Sequence, residues 1–427
     1  MIRGRDIVVL SSIDWDLLWQ GQHEVASRLA RAENRVLYVE NTGVRSPRFT
    51  DARRVASRLR SSLRSPPRRG AREVASNLHV CSPLVLPPFG SRWRRAVNRR
   101  LLLPPIRRVA AKLGMRDPIV WTYLPTDTAV DLIGLLRTPR SVVLYTCVAD
   151  FAELTPHRHR LADAEKTLVQ SSDLVFAQGS ALVSHCKRWS ERVHPIDCAV
   201  SLDSFTPLDD GSGPGRTPGA RRDGAASHPS LAALPRPVIG YVGGLHRHVD
   251  VPLAVQMARA RPHWSWVYVG PVQIPVAELA ALPNVRLVGH VPHDILAHYI
   301  ESFDVCTVPY RVGPATEAAF PTKVNEYLAM GKPVVSTPLP EVREFNARNR
   351  VVITAAAEPD AFGDAIEQAL VPVPDEQRVA RRRAAASRDW GTQLESMSAL
   401  IEASTAMKEG EERSDPARAK EPELLAD

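Results

Sequence analysis

Short apolar runs and amphipathic stretches alternate along the chain, and the alternation predicts strands followed by helices. Residues 6–10 contain the apolar run IVVL and read as a buried strand. Residues 22–31 then place Val25, Ala26, Leu29 and Ala30 at helical spacing, and residues 35–39 return as a strand. The same rhythm predicts strands at 118–122, 141–146 and 174–177 and helices at 126–136, 161–170 and 180–189. A second series follows, with strands at 237–242, 266–269, 285–288, 305–309 and 333–337 and helices at 251–259, 293–302 and 321–330. Strand and helix in turn predict an α/β fold of two doubly wound units. At 427 residues the chain is long enough for two domains that each bury a core.

Between the two series, residues 208–236 are crowded with Gly, Pro and Ser and lack periodicity, so they read as a flexible linker. The expected domains are therefore 1–207 and 237–374. Residues 378–388 and 390–407 read as closing helices, with Trp390, Leu394, Met397 and Leu400 in one stripe. Residues 408–427 are almost devoid of apolar side chains, and a disordered tail is expected there.

The densest chemistry lies in 304–344. Here a buried strand is followed by a loop, a helix opened by Pro321 and closed by Gly331, and a further strand. The loop entering such a helix lies at the carboxyl edge of a parallel sheet, where α/β folds bind ligands. Pro321 is expected at the first helical position, where the free N–H groups of the turn favour an anion. Lys323 and Glu326, three apart, share one helix face. They offer a cation for a phosphate oxygen and a carboxylate for a ribose diol. A capped surface helix carrying an exposed Lys–Glu pair is the alternative. Gly243 and Gly244 end the strand at 237–242, where bare backbone N–H groups either approach an anion closely or make a plain turn.

Charge adds a second feature. Residues 45–116 hold 18 arginines and one lysine against Asp51 and Glu73, so the excess behind the net charge of +8 is local. Arginines interspersed with Leu, Val and Trp93 suit helices lying on an anionic membrane surface; a solvated basic face or a disordered insertion is the other reading. Nucleic acid is not expected as a partner, because stacking aromatics are sparse in the segment. The five cysteines form no CxxC pair, and no run of about 18 apolar residues occurs. A cytoplasmic protein without a metal site is expected, in contact with the inner face of the plasma membrane if the basic segment binds lipid.

PTKVNEYLAMGKPVVSTPLPEV, residues 321–342, resembles the donor-nucleotide segment of family-4 glycosyltransferases, enzymes of GT-B fold that move a sugar from a nucleotide diphosphate. GYVGGLHRHVDVPL, RPHWSWVYVGPV, LPNVRLVGHVPHDIL and YIESFDVCTVPY follow the order of that catalytic domain. SSIDWDLLWQGQHEVASRLARAENRVLYVENTGVR is similar to the N-terminal half of a bacterial envelope-polysaccharide branch of teichuronic-acid type. The resemblance implies two Rossmann-like domains facing each other across a cleft, with residues 375–407 crossing back onto the first domain. It implies a nucleotide-sugar donor carrying UDP, GDP or a similar nucleotide, with no separate cofactor. It also implies transfer to a cell-envelope glycan or lipid-linked acceptor, with retention of configuration and no metal.

The resemblance also orders the candidate residues. Asp150 stands near a point where the family commonly has a histidine beside the transferred sugar; a helix N-cap is its structural reading. Gly244 occupies the place of a family arginine, which leaves Arg247 as the expected phosphate contact. His290 follows a strand close to where a base could stack, or is a turn histidine. Glu326 matches the second member of a Glu-x7-Glu pair, but Ala318 stands eight before it and Glu317 is one place off. Trp15 and Trp19 either meet an acceptor sugar or plug the top of the sheet. An epimerase of the same fold, converting the donor without an acceptor, and a catalytically silent glycan-assembly subunit are the other classes. The absent histidine and arginine favour the silent subunit.

Overall fold

The computed structural model describes residues 1–11, 13–16, 19–40, 70–83, 85–86, 91–151, 158–207 and 228–414. Two compact units result, each built on its own sheet. The first comprises Met1–Gln178, Leu182–Ile196 and Leu394–Asp427, and the second Gly179–Ala181 and Asp197–Gln393.

In the first unit β1 (Asp6–Leu10) is the pivot. It pairs in parallel with β2 (Arg35–Val39) on one side, and β2 pairs with β4 (Leu78–Cys81), itself edged by β3 (Arg72–Ala75). On the other side β1 pairs with β5 (Ile119–Thr122), followed by β6 (Val143–Cys147), β7 (Leu174–Gln178) and β8 (Val193–Ile196). Only the β3–β4 pair is antiparallel. Ile7, Val8, Val9 and Leu10 are fully buried because helices cover both faces, which is why β1 reads as a continuous apolar run.

The basic segment is more than an insertion. Its described part supplies β3, β4 and the helices Arg92–Val97 and Pro104–Lys112, and it buries Leu78, Val80, Cys81, Ile106, Val109 and Ala110. The expected helices around 53–64 lie outside the described residues.

The second unit holds β9 (Val238–Val242), β10 (Ser265–Val269), β11 (Val285–Gly289), β12 (Val305–Val308), β13 (Val334–Ser336) and β14 (Val352–Thr354). All run parallel in the order β11-β10-β9-β12-β13-β14, so the chain changes side at β9 and β12. Those two strands pair over only two positions, Ile239 with Val305 and Gly240 with Cys306. Beyond them the Val242 N–H turns to the Tyr327 hydroxyl oxygen at 2.7 Å, and the Thr307 hydroxyl donates to Gly240 O at 3.2 Å. The strands part toward their carboxyl ends, and a crevice opens at the switch point, where parallel sheets place ligands.

Three expected boundaries change. Part of the expected linker belongs to the second unit: Leu231 is buried, the His228 ring stacks on Tyr299 at 4.0 Å, and the His228 N–H donates to Ser302 Oγ at 2.8 Å. Residues 208–227 lie outside the described residues. The helix Asp375–Ala386 belongs to the second unit, whereas the last helix, Trp390–Ser414, groups with the first from Leu394 onward. That helix also runs past the point where the tail was expected to begin: Lys408 donates to Asp173 Oδ2 at 2.8 Å and to Ser141 O at 2.6 Å. Residues 415–427 lie outside the described residues. No described helix is long and apolar enough to cross a membrane.

Candidate functional site

The switch-point crevice of the second unit is built by the loops leaving β9, β10 and β12. The β9 and β10 loops meet at their glycines. The Gly243 N–H donates to Val269 O at 2.8 Å, and a Cβ on Gly270, whose φ is +147°, would lie 2.2 Å from Gly243 O. The β9 and β12 loops are laced by backbone hydrogen bonds, Asp250 N–H to Pro309 O and Arg311 N–H to His248 O, both 2.8 Å, with an antiparallel bridge between Val249 and Tyr310. Thr316 secures the rest of the β12 loop by donating to Arg311 O at 2.7 Å.

Lys323 enters this crevice from the first turn of the helix Thr322–Ala329. Its residue is 8% exposed, and among the described residues its ammonium is partnered by a neutral hydroxyl rather than a carboxylate. Its ammonium donates to the Tyr310 hydroxyl at 2.6 Å and lies 4.8 Å from the Tyr310 ring centre and 5.0 Å from that of Tyr241. Gly243 makes room for it: φ is +121°, and a Cβ there would lie 3.0 Å from Lys323 Cε. Gly244 has no such backbone requirement, and a Cβ on it would meet the Gln273 amide at 3.2 Å.

Pro321 flanks the helix rather than opening it. Its ψ of 118° is extended, and the helix begins at Thr322, with the Val324 N–H turned back to Pro321 O at 3.0 Å. At the other end Gly331 (φ +72°) closes the helix, and the Lys332 N–H reaches Tyr327 O at 3.0 Å. Glu326 shares the face of Lys323, but no ion pair joins them. Burial pushes its carboxyl up to about 7, against the opposing pull of Lys323.

Arg247 is exposed beside its histidine neighbours, and its Nε donates to His248 Nε2 at 3.3 Å. Burial, then the charges of Lys323, His248 and Arg247, lowers His246 to about 3; His248 is lowered by burial, Arg247 and Lys323. Glu317 is exposed after the turn Pro314–Thr316. His290 is exposed past β11, at the edge of the sheet and two strands from β9. The second unit thus carries Gly243, Gly244, Arg247, His290, Glu317, Pro321, Lys323 and Glu326 at the carboxyl ends of its strands. Asp150 belongs to the first unit, where it is partly exposed after β6. Tyr241, His246 and Tyr310 were not picked out by motif. Their one signal is position, at or just past the end of an apolar run.

Two polar clusters of the first unit close on themselves. Cys147, Glu165 and Cys186 bring one donor atom each within 4.8 Å of the others. The Tyr145 hydroxyl donates to Glu165 Oε1 at 2.7 Å, and His185 Nε2 lies 3.0 Å from Oε2. Arg188 donates to His185 Nδ1 at 2.5 Å, so the ring proton sits on Nε2 and is given to Glu165. Trp15 and Trp19 meet edge to face at 5.8 Å and pack on His23, which stacks on Tyr38 at 5.5 Å. Trp19 Nε1 donates to Glu24 at 3.0 Å. Trp15 also packs on Tyr38 of β2 at 5.1 Å, and both indoles keep part of their surface exposed.

Residues 236–371 match the family Glycosyl transferases group 1. TuaH of Bacillus subtilis strain 168, named as a glycosyltransferase of teichuronic acid biosynthesis, is 28% identical over 242 residues, 55% of this chain and 57% of TuaH. The match therefore spans little more than half of that relative. The sucrose-phosphate synthase structure from Thermosynechococcus elongatus superposes with a TM-score of 0.67 at 18% identity, covering 94% of this chain and all of that one. Anabaena HepE, solved with UDP and glucose, gives 0.61 at 13% identity over 93% of this chain and all of that one. At such identities the structures speak for the fold, two Rossmann-like domains of GT-B type. Residues 236–371 of the second unit thus resemble a group 1 glycosyl transferase domain, and the chain as a whole has the GT-B fold.

Proposed function

We propose that the protein transfers a sugar from a nucleotide-diphosphate donor to a cell-envelope glycan or lipid-linked acceptor. The observation that carries the reading is Lys323, a buried ammonium with no carboxylate partner among the described residues, held at the switch point beside Gly243, where any side chain would be strained. An unpaired buried charge is costly, and an anionic ligand is what would compensate it. HepE was solved with UDP and glucose, and WaaG, of the same fold, is named for lipopolysaccharide biosynthesis; both support the donor and acceptor classes.

In this scheme the bond from the anomeric carbon to the diphosphate breaks while one to an acceptor hydroxyl forms, with retention of configuration. Charge grows on the departing diphosphate, and Lys323, Arg247, the Gly244 N–H and the helix end after Pro321 meet it without a metal. Glu326 accepts from the ribose diol, and Glu317 and His290 serve the sugar and base ends. Asp150, partly exposed after β6, is the carboxylate assigned to the sugar hydroxyls. The exposed Trp93 and Leu101, set among Arg92, Arg99 and Arg100, support contact with an anionic membrane.

Thermal denaturation with UDP, GDP, ADP and dTDP tests the donor reading. A ligand at 100 times its dissociation constant stabilises by about 2.7 kcal/mol, and Lys323→Ala should abolish that shift. No shift with any of the four would sink the reading. Flotation with anionic vesicles tests the membrane contact, which fails if Trp93→Ala floats as the wild type does. A silent binding subunit, favoured by Gly244 in the family's arginine place, would bind nucleotide yet release no nucleoside diphosphate when an envelope-lipid extract is supplied with the donor.

A further inference from the structure

Tyr310 is 5% exposed, and its hydroxyl lies where three groups converge. Lys323 Nζ, 2.6 Å away, is an ammonium and can only donate. His246 Nε2 lies 3.3 Å away. The role of that nitrogen follows from its partner across the ring. His246 Nδ1 accepts the backbone N–H of His248 at 3.2 Å, so a neutral ring carries its one proton on Nε2. The ring is neutral at ordinary pH, because burial and the neighbouring cations hold it far below the usual histidine range. Nε2 therefore donates to Tyr310. With both lone pairs of the Tyr310 oxygen taken by donors, its own hydrogen has to be given away. Among the described residues no hydrogen bond takes it up, and the neighbouring Tyr241 hydroxyl gives its own hydrogen to Gly244 O at 3.0 Å.

We propose that Tyr310 is a further hydrogen-bond donor to the diphosphate of the nucleotide-sugar, held in that role by the Nε2–H of His246. The inference rests on the donor reading above. An anion drawn to Lys323 meets, one hydrogen bond away, a hydroxyl whose proton can turn onto an anion oxygen. Tyr310 would contact the ligand; His246 is a positioning residue that acts through it. The backbone bonds that lace the β9 and β12 loops keep the two rings in register without any contribution from the ligand.

Titration calorimetry with UDP, GDP and ADP tests this on the wild type and on Tyr310→Phe, His246→Gln, His246→Leu and Lys323→Ala, with melting temperatures as a check on folding. Tyr310→Phe keeps the ring over Lys323 and removes only the hydroxyl. The nucleotide that binds the wild type should bind Tyr310→Phe about 10- to 100-fold more weakly, the range for a lost hydrogen bond to a charged group. His246→Gln, which still offers an N–H, should retain most of the affinity, and His246→Leu should fall toward Tyr310→Phe. If Tyr310→Phe binds within about twofold of the wild type while Lys323→Ala does not bind, the role of Tyr310 is overturned and the donor reading stands. If the wild type binds none of the three, both fall.

Discussion

At Gly243 and Gly244, neighbours in sequence, the backbone sets opposite demands. Gly243→Ala would hold an L-residue in the left-handed region, at a cost of about 1–2 kcal/mol, and push its Cβ against Lys323. It should lower the melting temperature by a few degrees and weaken nucleotide binding by roughly tenfold or more. Gly244→Ala presses on the flexible end of Gln273, touches Pro271 O at an ordinary 3.6 Å, and should change stability by less than about 1 kcal/mol. Equal effects of the two substitutions in melting and titration would refute this account of the β9 loop.

Glu326 makes a pH-dependent prediction. Its carboxyl is raised from 4.5 to about 7, so between those values the folded protein holds a proton that the unfolded chain has released. Its contribution to stability is complete below pH 4.5 and is lost as pH rises through 7. Glu326→Gln removes that loss and should gain on the wild type by about 2 kcal/mol between pH 5 and pH 8, read from urea midpoints. His246 has the opposite sign. Lowered from 6.5 to about 3, it contributes stability that is present above 6.5 and lost as pH falls through 3. Only the difference between wild type and variant therefore isolates Glu326, and a constant difference across the range would count against its raised pKa.

At the scale of the element, Asn284 shows how a turn residue can hold a helix end. Its Nδ2 donates to Ala258 O, Arg261 O and Trp264 O at 2.9, 3.2 and 3.1 Å, joining the end of the helix Val251–Ala260 to the approach of β10. Asn284→Ala strands these carbonyls and should cost about 1–3 kcal/mol, visible as a melting temperature lower by several degrees. An unchanged midpoint would mean that water replaces the amide without loss.

The sequence showed β1, β2, β9 and β10 because both faces of each are covered, leaving an uninterrupted apolar run. It hid β3, where Arg72 and Glu73 face outward on an antiparallel edge, and β8, where Pro195 is tolerated because only one side of the strand is paired. The three residues of β14 are too few to show a period. The same physics governs the site. Lys323 and Glu326 could be read from helical spacing and Gly243 from its place at a strand end. The meeting of His246 with Tyr310, 64 residues apart, depends on β9 lying beside β12, which no local pattern reveals.

Across the whole molecule, the last helix determines what each unit needs. Lys408 pairs with Asp173, whose Oδ2 also accepts the Val143 N–H at 2.7 Å. Both side chains are mostly buried, so Lys408→Ala should cost about 1–2 kcal/mol and lower the melting temperature by 2 °C or more. A shift below 1 °C would show that this end of the helix is dispensable.

Leu394, Met397 and Ile401 of the same helix are buried at 1%, 3% and 1% exposure and belong to the first unit. The first unit is therefore discontinuous in the gene, with nearly all of the second carried inside it as residues 197–393. Recombination between relatives has to respect that nesting. A single crossover near residue 196 gives the first unit a foreign last helix, fitted to another core. Two crossovers, near 196 and 394, exchange the second unit whole and leave that core intact. A lineage of such proteins can then exchange the second unit as a cassette while the first keeps its own core.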